Sequence, residues 1–136
     1  MIKTVWSVTL PVSDLKKSVK FYEQTVGLEK KYEFSSYAGF ECGGLEIGLI
    51  PIPEKELKTG LTSPSVQFLV DDVDEFCDRL SRAGVKFIKP VHDEPWGERQ
   101  ATFEDPDGNI LEIAQIHWKT YFKVSAEGAR REGEAK

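Results

Sequence analysis

The stretch WSVTLPVSDLKKSVKFYEQTVG, residues 6–27, changes from a strand pattern to a helix pattern within a few positions. Its first apolar side chains alternate with smaller residues, which is the period of a half-buried strand (Trp6, Val8, Leu10 and Val12). Asp14 then stands at a helix N-cap, and apolar residues recur at three- and four-residue spacing as far as Gly27, a typical helix stop. The stretch predicts a strand followed directly by an amphipathic helix.

Three short strands are predicted after this helix, over residues 29–34, 38–42 and 45–50. The pair Gly43-Gly44 makes the last turn tight, and Pro51 ends the run. The first half of the chain therefore has the order βαβββ.

The same order returns in the second half of the chain. The sequence VSDL at residues 12–15 aligns with VDDV at residues 70–73, and the same offset aligns Ser7 with Ser65. A strand is predicted over residues 65–70, and a second helix from the N-cap Asp72 to Gly84. Three further strands follow, with a loop and a turn between them (strands 85–88, 99–104 and 110–116, loop 90–96, turn 105–109). A repeated unit of this kind predicts one fold built from two similar modules.

The composition restricts the class of protein. A chain of 136 residues suits a single domain, and no apolar run approaches the roughly 20 residues of a membrane-spanning helix. The start of the chain lacks a secretory pattern, so we expect a cytoplasmic protein. The net charge is −5 and no basic stripe occurs, so neither nucleic acid nor a membrane is an expected partner.

Four sequence features in this order resemble the vicinal oxygen chelate superfamily, the group of glyoxalases, bleomycin resistance proteins and extradiol dioxygenases. They are the two aligned tetrapeptides, Pro-Trp-Gly at residues 95–97 and Asp-Pro-Asp-Gly-Asn at residues 105–109. The resemblance covers about residues 5–116. It implies an α+β fold in which two tandem βαβββ modules form a half-open eight-stranded barrel.

On this resemblance, residues 1–122 form one domain, with modules at about 5–52 and 64–116. The charged tail, residues 123–136, is expected to be flexible. The resemblance also implies a homodimer. The aromatic residues that follow the last strand are a candidate contact between subunits (Trp118, Tyr121 and Phe122).

In metal-dependent members of the superfamily, four side chains on the first and last strands of the modules bind the ion. The matching positions here are Ser7, Glu46, Ser65 and Glu112, so the two glutamates fit the pattern and both usual histidines are missing. A hydroxyl is a weak ligand for a transition ion compared with imidazole. We therefore expect no cofactor and no metal site, apart from weak binding of an oxygen-preferring divalent cation.

Strand alternation predicts a polar and acidic cavity wall in both modules. The glutamates Glu46 and Glu112 are the candidate catalytic residues, and the candidate ligand-binding residues are Ser7, Thr9, Ser65, Gln67, Trp96 and Arg99. Each has a simpler structural alternative. A glutamate can be salt-bridged or exposed, the tryptophan can fix its loop, and the arginine can pair with a carboxylate.

These positions predict a protein that binds a small organic molecule without a transition metal. The acidic cavity wall favours cationic ligands. One alternative is a metal-dependent lyase, isomerase or dioxygenase. Another is a metal-free enzyme that uses Glu46 or Glu112 for proton transfer. Glyoxalase I activity is not expected, because two serines would have to replace both imidazoles without loss of the ion. Whether the protein is an enzyme is left open by the sequence.

Overall fold

The structure is a computed structural model, and it describes residues 1, 3–60 and 63–135, with side chains described as far as residue 128. Within these ranges the chain forms two compact units. The first comprises Met1–Ser65 together with Glu104–Ile110, and the second comprises Val66–Phe103 together with the chain from Leu111 onward. None of the helices in the described ranges is both long and apolar enough to span a bilayer.

The first unit contains a four-stranded mixed sheet, sheet 1, and one principal helix. Its elements are β1 (Ser7–Val12), α1 (Leu15–Lys20), β2 (Glu29–Glu33), β3 (Ala38–Cys42) and β4 (Leu45–Pro51), followed by a single 3-10 turn (Glu54–Glu56). The strands lie in the order β1-β4-β3-β2. Because β1 and β4 are parallel neighbours, the first and last strands of the module lie side by side.

The helix of the first unit begins and ends at the residues that the sequence predicts. The side chain of Asp14 accepts a backbone hydrogen bond from the first turn of α1 and so caps it. After α1 the chain continues without a break as a π-helical turn, Phe21–Val26, and stops at Gly27, whose φ of 94° is left-handed. The sequence pattern did not distinguish this wider turn from a regular α-helix. The buried side chains of this turn, Tyr22 and Val26, continue the apolar stripe that Leu15 and Val19 form on α1.

The second unit contains sheet 2, with the strand order β5-β8-β7-β6, and two helices. Its elements are β5 (Val66–Leu69), α2 (Val73–Arg82), β6 (Phe87–Asp93), β7 (Glu98–Glu104), β8 (Ile110–Ile116) and α3 (Trp118–Ala135). Asp72 caps α2 as Asp14 caps α1, and β5 is parallel to β8 as β1 is to β4. The predicted α+β class and the two βαβββ modules are confirmed.

Two features of the second unit differ from the sequence prediction. β6 extends to Asp93, where a loop over residues 90–96 was predicted, because His92 and Asp93 pair with β7 beyond a bulge. α3 was not predicted at all. The expected flexibility of residues 123–136 stays a prediction, since Lys136 and the side chains after residue 128 lie outside the described residues.

The turn between β7 and β8 belongs to the first unit and is held there by a buried carboxylate. Asp105 accepts hydrogen bonds from the hydroxyl of Tyr22 (2.8 Å), from the side-chain amide of Asn109 (2.8 Å) and from two backbone N–H groups of the turn. Asn109 also donates to the carbonyl of Pro11 in β1 (2.8 Å). A buried carboxylate is tolerated only when it is well hydrogen-bonded. Loss of one donor therefore weakens the whole hydrogen-bonded group around Asp105.

Burial, together with the charge of Asp105, raises the pKa of Tyr22 well above its ordinary value. The Tyr22 hydroxyl therefore stays protonated at neutral pH and donates to the carboxylate.

We expect Tyr22→Phe to lower the free energy of unfolding by about 1.5–3 kcal/mol, because a buried carboxylate loses a hydroxyl donor. Tyr121→Phe is the matched control, since the Tyr121 hydroxyl makes no hydrogen bond within the described residues. Urea denaturation of both variants measures the difference. Equal losses in the two variants would contradict the role given to Tyr22.

Candidate functional site

Sheet 1 has one face packed under α1 and one face that carries the predicted site residues of the first module. Phe40, Ile47 and Leu49 of the packed face are at most 1% exposed, and the ring of Tyr22 lies 6.1 Å from that of Phe40 between centroids. Strand alternation places Ser7, Thr9 and Glu46 on the opposite face, where Ser7 is the register partner of Glu46. The structure thus brings together three of the residues predicted from the sequence.

Glu46 is only 8% exposed, and two side chains of β2 hold its carboxylate. The Tyr32 hydroxyl donates to Glu46 Oε2 at 2.9 Å, and Lys31 Nζ lies 3.1 Å from Glu46 Oε1. Adjacent strand residues normally point to opposite faces, but a register shift between Lys30 and Tyr32 lets both neighbours reach Glu46. Glu46 is therefore salt-bridged, which is the simpler structural alternative to a catalytic role that the sequence left open.

Tyr32 and Tyr37 form an aromatic wall on the same face of sheet 1. Their rings stack with centroids 6.2 Å apart, and the hydroxyl of Tyr37 lies 3.1 Å from that of Thr9. Partial burial and the hydrogen bond to Glu46 raise the pKa of Tyr32. Tyr32 was missed in the sequence. The signal that could have found it is the pair Gly39 on β3 and Gly48 on β4, because two strand positions without side chains leave space for an aromatic ring.

Sheet 2 also has one face packed under a helix, and Arg99 lies on that face. Its guanidinium makes two hydrogen bonds to Asp74 of α2 (2.9 and 3.0 Å) and lies 3.1 Å from Asp93. These carboxylates raise the pKa of Arg99. Arg99 thus pairs with carboxylates, as the simpler alternative proposed, and its guanidinium is not free to bind an anionic ligand.

Trp96 lies in the turn between β6 and β7 and is partly exposed. The next residue, Gly97, has a left-handed φ of 98° and packs against the start of α3. Its carbonyl accepts a hydrogen bond from the N–H of His117 at 2.7 Å, and a Cβ at Gly97 would crowd the backbone of that helix. The Pro-Trp-Gly turn therefore fixes where α3 begins.

The other face of sheet 2 carries glutamine and glutamate side chains. Gln67 is the register partner of Glu112, and its side-chain amide lies 3.4 Å from Glu98 Oε2 on β7. Gln100 donates to the same Glu98 oxygen at 3.2 Å. Glu98 was missed in the sequence, although it alternates with Gln100 on β7.

A cavity of about 200 Å³, here named the α3 pocket, opens on this face of sheet 2. Apolar, aromatic and polar side chains line it (Gln67, Leu69, Glu98, Ala114, Ile116, Trp118 and Tyr121). Neither Glu98 nor Glu112 forms a salt bridge within the described part of the chain, and both are half-buried. The pocket thus combines unneutralised negative charge with two aromatic rings.

The side chains at the superfamily's metal positions fit a transition ion poorly. Glu46 already holds the ammonium of Lys31, which repels a second cation. Ser65 precedes β5, and Gln67 rather than Ser65 is the register partner of Glu112. Across the described ranges, no three His, Cys, Asp or Glu side chains converge as a metal site would require.

We expect Lys31→Met to lower the free energy of unfolding by about 1–2 kcal/mol, because a nearly buried carboxylate loses its counter-ion. The expected loss is smaller than for a fully buried ion pair, since Lys31 is partly exposed. Lys30→Met is the matched control, since Lys30 pairs with Glu33 at the surface and its loss should change stability little. Chemical denaturation at pH 7 measures both. A Lys31→Met variant as stable as the control would count against the charge pairing described for Glu46.

Comparison with known proteins gives matches over most of the chain. The family model described as the Glyoxalase/Bleomycin resistance protein/Dioxygenase superfamily matches residues 5–113. The uncharacterized protein YraH of Bacillus subtilis (strain 168) is 36% identical over 122 residues, which cover 80% of this chain and 95% of YraH.

Two solved structures resemble this one over both modules. FosX, a genomically encoded fosfomycin resistance protein from Listeria monocytogenes, is 27% identical with a TM-score of 0.74, covering 89% of this chain and 99% of that chain. TnmS3, an antibiotic binding protein from Streptomyces sp. CB03234, is 30% identical with a TM-score of 0.70, covering 85% of this chain and 97% of that chain. The chain therefore belongs to the glyoxalase/bleomycin resistance protein/dioxygenase superfamily.

Proposed function

We propose that this protein binds a small organic cation in the α3 pocket and that it does so without a transition metal. The observation that carries the proposal is the Glu98 carboxylate, which lines a partly apolar pocket and has no ion-pair partner in the described chain. A half-buried carboxylate without a counter-ion attracts a positive charge more strongly than an exposed one does. Gln67 and Gln100 donate to the same oxygen and hold it in position.

The rest of the pocket suits the apolar body of such a ligand. Leu69, Ala114 and Ile116 supply the apolar surface, and the rings of Trp118 and Tyr121 supply faces on which a cation or a flat group can rest. Drug-sized ligands occupy pockets of roughly 300–1,000 Å³. A cavity of about 200 Å³ fits a ligand with one ring and one amine or amidine group.

The relatives support binding of a small molecule as the general activity. TnmS3 is an antibiotic binding protein and FosX is a fosfomycin resistance protein, and both share the fold over more than four-fifths of this chain. A shared fold does not by itself assign a ligand. The choice of a cation rests on the charges of the α3 pocket.

The geometry supports the two alternative functions less well. A metal-dependent lyase, isomerase or dioxygenase needs strong ligands, and Ser7, Ser65 and a lysine-paired Glu46 supply few. A metal-free enzyme needs a carboxylate free to take a proton, and Glu46 is engaged by Lys31 and Tyr32. Glu112 has no ion-pair partner within the described residues, so proton transfer in a metal-free enzyme would depend on Glu112.

The protein is further proposed to form a homodimer through the start of α3. Trp118 is 51% exposed and Phe122 is 62% exposed, with their rings stacked 5.8 Å apart. Adjacent exposed aromatic side chains are typical of protein–protein contact surfaces. Sedimentation equilibrium of wild-type protein and of Phe122→Ser tests this contact.

Benzamidine and its neutral analogue benzamide test the cation preference. We expect wild-type protein to bind benzamidine at least about tenfold more tightly than benzamide, since only the amidinium pairs with Glu98. Glu98→Gln should remove most of that difference by weakening benzamidine alone. Isothermal titration calorimetry measures all four affinities.

Glu104→Gln is the control for this experiment, because Glu104 is an exposed glutamate of the same strand that does not line the pocket. It should leave both affinities unchanged. Equal binding of benzamidine and benzamide to wild-type protein, or no effect of Glu98→Gln, would refute the proposed function.

A further inference from the structure

We propose that the first unit contains a second binding site, for a neutral phenol-type ring, and that the chain's own Tyr37 occupies this site as a displaceable side chain. The site lies on the exposed face of sheet 1, where Gly39 and Gly48 are register partners on adjacent strands. These two residues are named here the glycine floor. The proposal is independent of the α3 pocket, which belongs to the second unit.

The glycine floor makes room for two flat rings, those of Tyr32 and Tyr37. A Cβ on Gly48 would overlap the Tyr37 hydroxyl, and a Cβ on Gly39 would lie 2.7 Å from the ring of Tyr32. Two neighbouring positions without side chains therefore leave a shallow depression in the sheet, which the aromatic rings fill. Neither glycine is required by a left-handed backbone, so close approach of the rings explains them better than a turn does.

The two tyrosines on this floor are held very differently. Tyr32 donates to Glu46, which is nearly buried and ion-paired with Lys31, so its ring is a fixed wall. Among the described residues, the Tyr37 side chain makes one hydrogen bond, to the exposed Thr9. Tyr37 also ends a short surface turn that contains Ser35 and Ser36. Tyr37 is consequently the ring that can leave the floor.

The contacts of Tyr37 define the chemistry of the ligand that replaces it. The ring rests on Gly48 and stacks on Tyr32, and the hydroxyl meets Thr9. Lys31 neutralises Glu46 at the side of the site, so no net charge selects for an ion there. A flat, uncharged ring with one hydroxyl group reproduces every one of these contacts.

The probe for this site is p-cresol, which is the side chain of tyrosine as a free molecule. We expect its affinity to rise from wild type to Tyr37→Phe and again to Tyr37→Ala, measured by calorimetry. Tyr37→Phe keeps the ring but loses the bond to Thr9, so displacement should become about twofold to tenfold easier. Tyr37→Ala removes the competing ring and should bind more tightly still.

Gly48→Ala in the Tyr37→Ala background is the control for position. Outside the adjacent residues of the chain, the three nearest neighbours of a Cβ at Gly48 are all atoms of Tyr37, and no other atom lies closer than the third of them, at 3.2 Å. Removal of the Tyr37 ring therefore removes the closest contacts of an alanine at this position. The double variant should fold with a melting temperature close to that of Tyr37→Ala and lose p-cresol binding, because the new methyl fills the floor.

Three results would overturn the proposal. They are Tyr37→Ala binding p-cresol no better than wild type, Tyr37→Phe binding it no better than wild type, and the folded double variant binding it as tightly as Tyr37→Ala. Loss of benzamidine preference in the α3 pocket bears on none of these, so the two proposals can fail separately.

Discussion

The hydrogen bonds on the carboxylate of Asp105 are the interaction on which the rest of the first unit depends. The group is 5% exposed, and an ionised carboxylate at that depth is stable only while its donors remain in place. Those donors come from the π-helical turn after α1 and from the turn before β8, and Asn109 extends the network to the backbone of β1. One charged group thus fixes a helix, a strand and a turn at once. The position of β1 in turn determines where Ser7 and Thr9 stand on sheet 1.

The two modules share a strand order but differ in the chemistry of their exposed sheet faces. In the first module a bulge brings Lys31 to Glu46, and the face becomes neutral and aromatic. In the second module the carboxylates of Glu98 and Glu112 have no cation among the described side chains, and the face stays anionic. A duplicated unit therefore presents one face without a charge preference and one face that favours a cation. Neither surface supplies the imidazoles that a transition ion favours.

Local signals predicted the βαβββ modules well, because the helix of each module begins at an aspartate N-cap, Asp14 or Asp72, and the first one stops at Gly27. The candidate site was harder to predict because it depends on register. Glu46 lies opposite Ser7 but Glu112 lies opposite Gln67, so the alignment of Ser7 with Ser65 did not carry over to strand pairing. The bulge beside Lys31 and the helix α3 were equally hidden. A bulge leaves no composition signal. The large apolar residues of α3 lie only near its start, where it packs on the Gly97 turn.

We propose that this member of the superfamily works without a transition metal, and the metal content of the protein tests this proposal. The measurement is elemental analysis of the untagged protein, combined with thermal-shift titrations of Mn²⁺, Fe²⁺, Co²⁺, Ni²⁺ and Zn²⁺ on chelated samples. An ion at 100 times its dissociation constant would stabilise the native state by about 2.7 kcal/mol, which such a titration detects. We expect no stoichiometric metal and no stabilising ion. A stoichiometric ion that raises the melting temperature would overturn the proposal.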